Sequence, residues 1–384
     1  MNRCELALLG STGSIGKSAL AVARALPDRI RVSLLAAGSN WSLLAEQSRE
    51  FHPDCVCLEN PAHLDDLKAA VPAGTRVICG REPLCEAVTA PAITTVLCAI
   101  VGTGGLFPTL SAIRAKKTIA LASKEVMVMA GRLVTAEAKA NDVRILPVDS
   151  EHSALFQCLE GRTPGEVAQL ILTASGGPFR RTPVSEMEKM TWEQALAHPT
   201  WSMGPKVTVD SASLMNKALE MIEARWLFDV ESPRIEVLVH PQSIVHSLVR
   251  FRDGAMMAQM SIPDMRFPIQ YALTWPEHTA SDLPQLDLAD VTELTFERPD
   301  ETRFPSLGFA RTALETGGAL PAVLNAANEI AFERFRAGTI RFTDIWRIVE
   351  RTMAEFDGWG DETLDAVLEA DARAREFARG IATA

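Results

Sequence analysis

The chain has 384 residues, more than one typical core accommodates, so two or three domains are expected. A net charge of −11 argues against a nucleic-acid backbone or an anionic membrane as the main partner. It leaves room for a small anionic ligand, which a few convergent N–H groups and one lysine can hold on an acidic protein.

Seven cysteines (Cys4, Cys55, Cys57, Cys79, Cys85, Cys98 and Cys158) lie in the first half, mostly in apolar surroundings. Their odd number and setting read as free thiols in a reducing compartment. The one close pair, Cys55 and Cys57, lacks the partners of a zinc site. No signal peptide and no bilayer-spanning apolar run is visible, and the first strand begins soon after Met1. A soluble, cytoplasmic protein is the expectation.

Residues 1–148 alternate short apolar runs with amphipathic stretches. The runs at 5–9, 31–36, 55–58, 76–79, 94–99, 118–121 and 143–147 read as strands, with helical patterns such as 16–26 and 41–51 between them. That alternation is the mark of an α/β fold, a Rossmann-like, doubly wound parallel sheet, whose ligands bind at the carboxyl ends of the strands. Gly10-x-x-Gly13-x-x-Gly16 follows the first strand and opens a helix, so the backbone can approach a pyrophosphate at a positive helix end. The second strand ends in Ala37-Gly38-Ser39-Asn40, without the acid that usually receives the ribose 2′-OH of NAD. Ser39 and Asn40 suit a 2′-phosphate instead, so NADPH is preferred over NADH. Val101-Gly102-Thr103-Gly104-Gly105 lets the backbone pass close to the cofactor. Ala122-Ser123-Lys124-Glu125 closes a later strand, where Lys124 either points into the crevice or is a solvated lysine at a helix start.

Residues 149–274 have a different texture, with longer strands at 171–174, 235–239, 243–251 and 255–261, and read as an α+β catalytic domain. Asp149 and Glu151 at i,i+2 would share a face of an extended segment. With Glu220 they make an all-oxygen set that favours Mg²⁺ or Mn²⁺ over zinc; on their own, the first two could equally be surface acids. Ser211 stands where a helix N-cap belongs, and Asn216, Lys217 and Glu220 follow on one helix side. Lys217 offers charge to a phosphate, Glu220 reaches toward a metal, and Ser175-Gly176-Gly177-Pro178 adds hydroxyl and backbone donors. His152, His240 and His246 sit in apolar, strand-like stretches and read as structural. A polar linker covers 275–303, and 304–384 has helical periodicity throughout, as at 324–335 and 342–356, so a C-terminal helical bundle is expected.

Taken in order, several motifs resemble the 1-deoxy-D-xylulose 5-phosphate reductoisomerase family along nearly the whole chain. They are Gly10-Ser-Thr-Gly-Ser-Ile-Gly16, Ala122-Ser-Lys-Glu125, Pro147-Val-Asp-Ser-Glu-His152, Ser175-Gly-Gly-Pro178 and Trp201-Ser-Met-Gly204. Val209-Asp-Ser-Ala212, Met215-Asn-Lys-Ala-Leu-Glu220, His240-Pro-Gln-Ser-Ile-Val-His246 and Leu324-Asn-Ala-Ala-Asn-Glu329 continue the series. The resemblance implies Asp149, Glu151 and Glu220 as metal ligands, and these with Lys124 as the catalytic set. It implies Ser175, Ser211, Asn216 and Lys217 on the substrate phosphate, and Ser150 and Lys124 at its hydroxyl and carbonyl end. His198 would border a flexible loop whose Trp201 and Met203 cover the substrate. The cofactor would meet Thr12, Gly13, Ser14, Ile15, Gly38, Ser39, Asn40, Ser123, Lys124, Glu125, Gly204 and Met265. A homodimer converting 1-deoxy-D-xylulose 5-phosphate to 2-C-methyl-D-erythritol 4-phosphate with NADPH is implied. Ser39, Ser123 and Pro205 depart from the usual family residues, and Pro205 should stiffen one end of the loop. Two other readings compete: another metal-assisted NADP-dependent dehydrogenase of a phosphorylated sugar or hydroxy acid, and a non-catalytic NADPH-binding regulator.

Overall fold

The computed structural model describes residues 3–383. The chain forms two compact units, one of Met1–Val126, Val134–Ser153 and Asp264–Pro284, the other of Met127–Leu133, Ala154–Pro263 and Gln285–Ala384.

In the first unit, β1 (Cys4–Leu9), β2 (Ile30–Ala37), β3 (Cys55–Leu58), β4 (Arg76–Cys79), β5 (Thr95–Cys98), β6 (Thr118–Leu121) and β7 (Ile145–Pro147) form one sheet. Its order is β4-β3-β2-β1-β5-β6-β7, and every pairing is parallel. The central strands are unbroken apolar runs because helices cover both faces of such a sheet, and Leu6 through Leu9 are fully buried. The strand order reverses between β1 and β5, so a crevice opens beyond their carboxyl ends. The helix Arg266–Thr274 packs on the helix Ser14–Ala25 and on β6 and β7.

In the second unit, β8 (Val167–Ala174), β9 (Ile235–Val239), β10 (Val245–Phe251) and β11 (Met256–Met260) pair in the order β11-β10-β8-β9. Only β8 and β9 run parallel. The strand expected at 171–174 begins four residues earlier, because Ala168 and Gln169 are half-exposed and interrupt the apolar run. The helix Met215–Phe228 packs against β8 and β9. Four helices, Ser306–Thr316, Leu320–Arg336, Asp344–Glu355 and Leu364–Gly380, make the C-terminal bundle. Phe342 centres its core, edge-on to Phe179, Phe335 and Trp346 at 4.9, 5.7 and 5.4 Å. Trp346 Nε1 donates to Ser306 Oγ (2.9 Å), which donates to Ser213 O (2.8 Å), so the bundle holds the turn that precedes Met215. Within the polar stretch 275–303, Glu297 pairs with Val239 in both directions, at 2.8 and 2.9 Å. Among the described residues no helix is long and apolar enough to cross a membrane.

Candidate functional site

The glycine turn is shaped by close approach. A Cβ on Gly10 (φ +89°) would strike Ala99 O, and one on Gly16 would strike Gly10 O. Gly10 and Ser11 both donate to Ala36 O at 2.9 Å, which sets the turn beside the end of β2. Gly13 caps the helix Ser14–Ala25 with no side-chain acceptor, so Ser14, Ile15 and Gly16 present the free N–H groups of a helix start. Thr12 is half-buried, and Gly13 and Ser14 are exposed. Gln47, overlooked in the sequence, locks this turn: Ser11 Oγ donates to Gln47 Oε1 (2.7 Å) and Gln47 Nε2 donates back to Ser11 O (3.0 Å). The only signal was a polar residue on the buried face of the helix Trp41–Phe51.

At the ribose end, Asn40 Oδ1 accepts from Leu43 N–H (3.2 Å), which leaves its amide protons as donors. Residues 37–40 themselves carry no acid, but one approaches them from the neighbouring strand end. The carboxylate of Glu59, from the end of β3, lies 3.9 Å from where a Gly38 Cβ would stand. Neighbouring strand ends meet in space but are far apart in sequence, so inspection of 37–40 alone misses it. Ser123, buried, donates to Ile100 O (2.6 Å) and ties down the Val101 loop, while Glu125 is half-buried in the first turn of the helix Lys124–Ala140. Met265 precedes the helix Arg266–Thr274 in this same unit.

Asp149 and Glu151 are not in an extended segment. β7 stops at Pro147, and Asp149 O accepts from Ser153 N–H (2.8 Å), which puts Asp149 at the cap and Ser150 and Glu151 in the first turn of the helix Ser150–Leu159. Acids belong there, at the positive end of the helix. Carboxylate oxygens of the two still come within 4.8 Å of each other, a spacing one hard divalent cation can bridge. Ser150 Oγ donates to Glu151 Oε2 (2.5 Å). Lys124 is buried, not solvated, and its Nζ pairs with Asp149 Oδ2 at 2.5 Å.

The second unit gathers the phosphate-type residues. Ser175 directly follows β8, and Gly176 and Gly177 come next at φ +84° and +66°. A Cβ on Gly177 would sit 2.5 Å from Ser211 O, so this turn lies directly against the Ser211 backbone. Ser211 is not an N-cap. Pro205 starts a helix, Pro205–Ala212, whose last turn holds Ser211, and Leu214 in the left-handed conformation (φ +58°) swings the chain into Met215–Phe228. On that helix Asn216 Nδ2 donates to Glu220 Oε1 (2.5 Å) and Lys217 Nζ to Glu220 Oε2, both Lys217 and Glu220 being buried. Asn216, Lys217 and Glu220 therefore do share one side.

His198 Nδ1 accepts from Trp201 N–H (2.9 Å) and Thr200 N–H (3.2 Å), so its proton resides on Nε2, which donates to Ser175 Oγ (2.9 Å). Burial lowers its pKa and keeps the ring neutral. Ser175 Oγ also accepts from Gly177 N–H (3.2 Å), and its own proton is left to donate outward. Trp201 lies tilted beside His246, 6.2 Å between ring centroids, and Gly204 caps the helix that follows. His240 donates from Nδ1 to Thr295 O (2.9 Å) and accepts at Nε2 from Val245 and Ile244, a fully structural ring. His246 bonds Ser261 Oγ (2.8 Å). His152 is fully buried, with Nδ1 3.8 Å from Asp149 Oδ1.

Comparison with known proteins agrees with this arrangement. Family models described as 1-deoxy-D-xylulose 5-phosphate reductoisomerase match residues 6–131, its C-terminal domain 145–228, and the DXP reductoisomerase C-terminal domain 260–377. The 1-deoxy-D-xylulose 5-phosphate reductoisomerase of Chlorobaculum tepidum is 50% identical, over 98% of each chain. That of Heliobacterium modesticaldum is 51% identical, over 97% of this chain and 96% of its own. The Zymomonas mobilis enzyme in complex with NADPH superposes with a TM-score of 0.92 at 40% identity, covering 98% of both chains. A DOX-P reductoisomerase in complex with NADPH, fosmidomycin and magnesium gives 0.92 at 41%, over 98% of this chain and 97% of that one. The fold, the order of the motifs and these likenesses along nearly its whole length agree: the chain belongs to the 1-deoxy-D-xylulose 5-phosphate reductoisomerase family.

Proposed function

We propose that this enzyme isomerises 1-deoxy-D-xylulose 5-phosphate and reduces the product to 2-C-methyl-D-erythritol 4-phosphate, in the non-mevalonate isoprenoid pathway. The observation that carries the reading is the buried Glu220 carboxylate, fixed in place by Asn216 and Lys217 from its own helix. Such a group is costly in a merely structural place. The related structures bound to NADPH and magnesium supply the cofactor assignment.

Asp149, Glu151 and Glu220 would hold a divalent cation; three carboxylates suit Mg²⁺ and Mn²⁺ alike. When bound, that cation supplies Lewis acidity to neighbouring substrate oxygens, and NADPH supplies the hydride. Lys124, aimed by Asp149, donates to the carbonyl end of the substrate, and Ser150 to a hydroxyl. Ser175 and Ser211 donate to the phosphate beside Asn216 and Lys217. His198, kept neutral, holds Ser175 as a donor and anchors the backbone of Trp201. The loop 198–204, with Trp201 and Met203, then covers the substrate and excludes water, so phosphate binding energy is spent on closure. Thr12 to Ile15, Gly38 to Asn40, Ser123 to Glu125, Gly204 and Met265 line the NADPH site.

We assign residues 1–148 to the NADPH-binding domain, 149–274 to the catalytic and dimerising domain, 275–303 to a linker and 304–384 to the helical domain. The dimer reading rests on β11, the unpaired edge of its sheet, where Met256 and Met257 are 46% and 41% exposed. Seven free thiols suit a cytoplasmic location. The direct test follows NADPH oxidation with 1-deoxy-D-xylulose 5-phosphate, with and without Mg²⁺ or Mn²⁺. Oxidation that requires metal and stops with EDTA is expected. No oxidation, in protein that still binds NADPH, would assign the site to a different phosphorylated substrate.

A further inference from the structure

The loop 198–204 lies between two short helices, Trp192–Leu196 before it and Pro205–Ala212 after it. Both rest on one face of the bundle helix Leu320–Arg336. Before the loop, Trp192 packs on Phe332 and Phe335, with ring centroids 5.7 and 5.9 Å apart. After it, the Lys206 ammonium stands 5.7 Å from the Phe332 ring centre. Asn328 Nδ2 donates to Asp210 Oδ1 at 3.1 Å. Asn328, Phe332 and Phe335 follow at i, i+4 and i+7, one stripe of the helix.

The charges at the second hinge explain themselves locally. Lys206 lies in the first turn of its helix, where a cation opposes the helix dipole. Its ammonium turns instead to Asp210, one turn along. Asp210 is buried, with one oxygen on Lys206 and the other on Asn328, and Asn328 is fully buried too. A buried ion pair adds little stability over apolar packing but fixes position.

We propose that Asp210 and Asn328 are positioning residues that set the resting place of the loop 198–204, so that the helix Leu320–Arg336 anchors both its ends. This rests on the reading of that loop as the substrate cover. With both hinges held, only the inner residues move on closure, and less substrate binding energy goes into ordering the loop.

The test compares four variants of the full-length enzyme. Asn328→Ala should raise KM for 1-deoxy-D-xylulose 5-phosphate about tenfold, the loss of one hydrogen bond to a charged group, and leave NADPH affinity within about twofold. Asp210→Asn, which keeps the shape, should move the same way if the alanine variant folds poorly. Both should speed tryptic cleavage after Lys206. Asn325→Ala is the control: equally buried on the same helix, its amide donates to Glu329 Oε1 (3.0 Å) and not to Asp210. It should lower thermal stability without changing KM. Trp201→Ala tests the cover itself and should raise KM. If Trp201→Ala raises KM but the hinge variants do not, or Asn325→Ala does so equally, the anchoring is wrong. If Trp201→Ala leaves KM unchanged, the cover reading fails and the anchoring with it.

Discussion

At the residue scale the histidines divide by what their nitrogens touch. The sequence placed His240 and His246 in apolar stretches and so marked them as structural, and their backbone and serine partners agree. It offered no hint that His198 would fix the proton of Ser175, because that depends on a turn closing over 23 residues. Burial pushes His246 down to about 4, against hydrogen bonding to Ser261 that favours the charged form. The folded-state value lies below the ordinary one, so as pH falls the unfolded chain takes up the proton first. Stability from this group is whole above about pH 6.5 and drains away toward pH 4, roughly 3 kcal/mol in full. Urea unfolding at about pH 7 and pH 4.5 checks it: His246→Gln should lose less stability between the two than the wild type does. An equal loss would place the acid sensitivity elsewhere.

At the element scale the parallel sheet was legible because six largely buried strands and the half-exposed edge strand β4 leave seven short apolar runs. The helix Pro205–Ala212 was not, since a loop rich in proline and glycine runs straight into it and its polar residues hide the period. The same cause misplaced Ser211, and an i,i+2 pattern read as extended concealed the helix start at Ser150. What joins Ser175 to Ser211 is the Gly176-Gly177 turn, a contact between distant segments. Gly177→Ala should therefore act twice, through left-handed strain and through a Cβ 2.5 Å from Ser211 O. A loss of about 2 kcal/mol or more in unfolding free energy, together with a raised substrate KM, is expected. A variant as stable as the wild type would show that the turn relaxes freely.

At the scale of the whole molecule, the motif order along the chain identified the family where no single fragment did, and the family models and relatives cover the same span. Contacts that depend on tertiary approach, such as Glu59 beside Gly38 and Gln47 on Ser11, carry no sequence signature of their own. The dimer is a claim at this scale: light scattering should return twice the 41.8 kDa chain mass, and Met257→Lys on the β11 edge should lower it. A monomer in the wild type would remove that assignment. The central claim is that Glu220 serves the reaction and not the fold. Glu220→Gln keeps the shape, so turnover and NADPH affinity should be measured together in that variant. The account predicts a turnover about 100-fold lower with NADPH affinity within about twofold of the wild type. Unchanged turnover, or an equal fall in both, would contradict it.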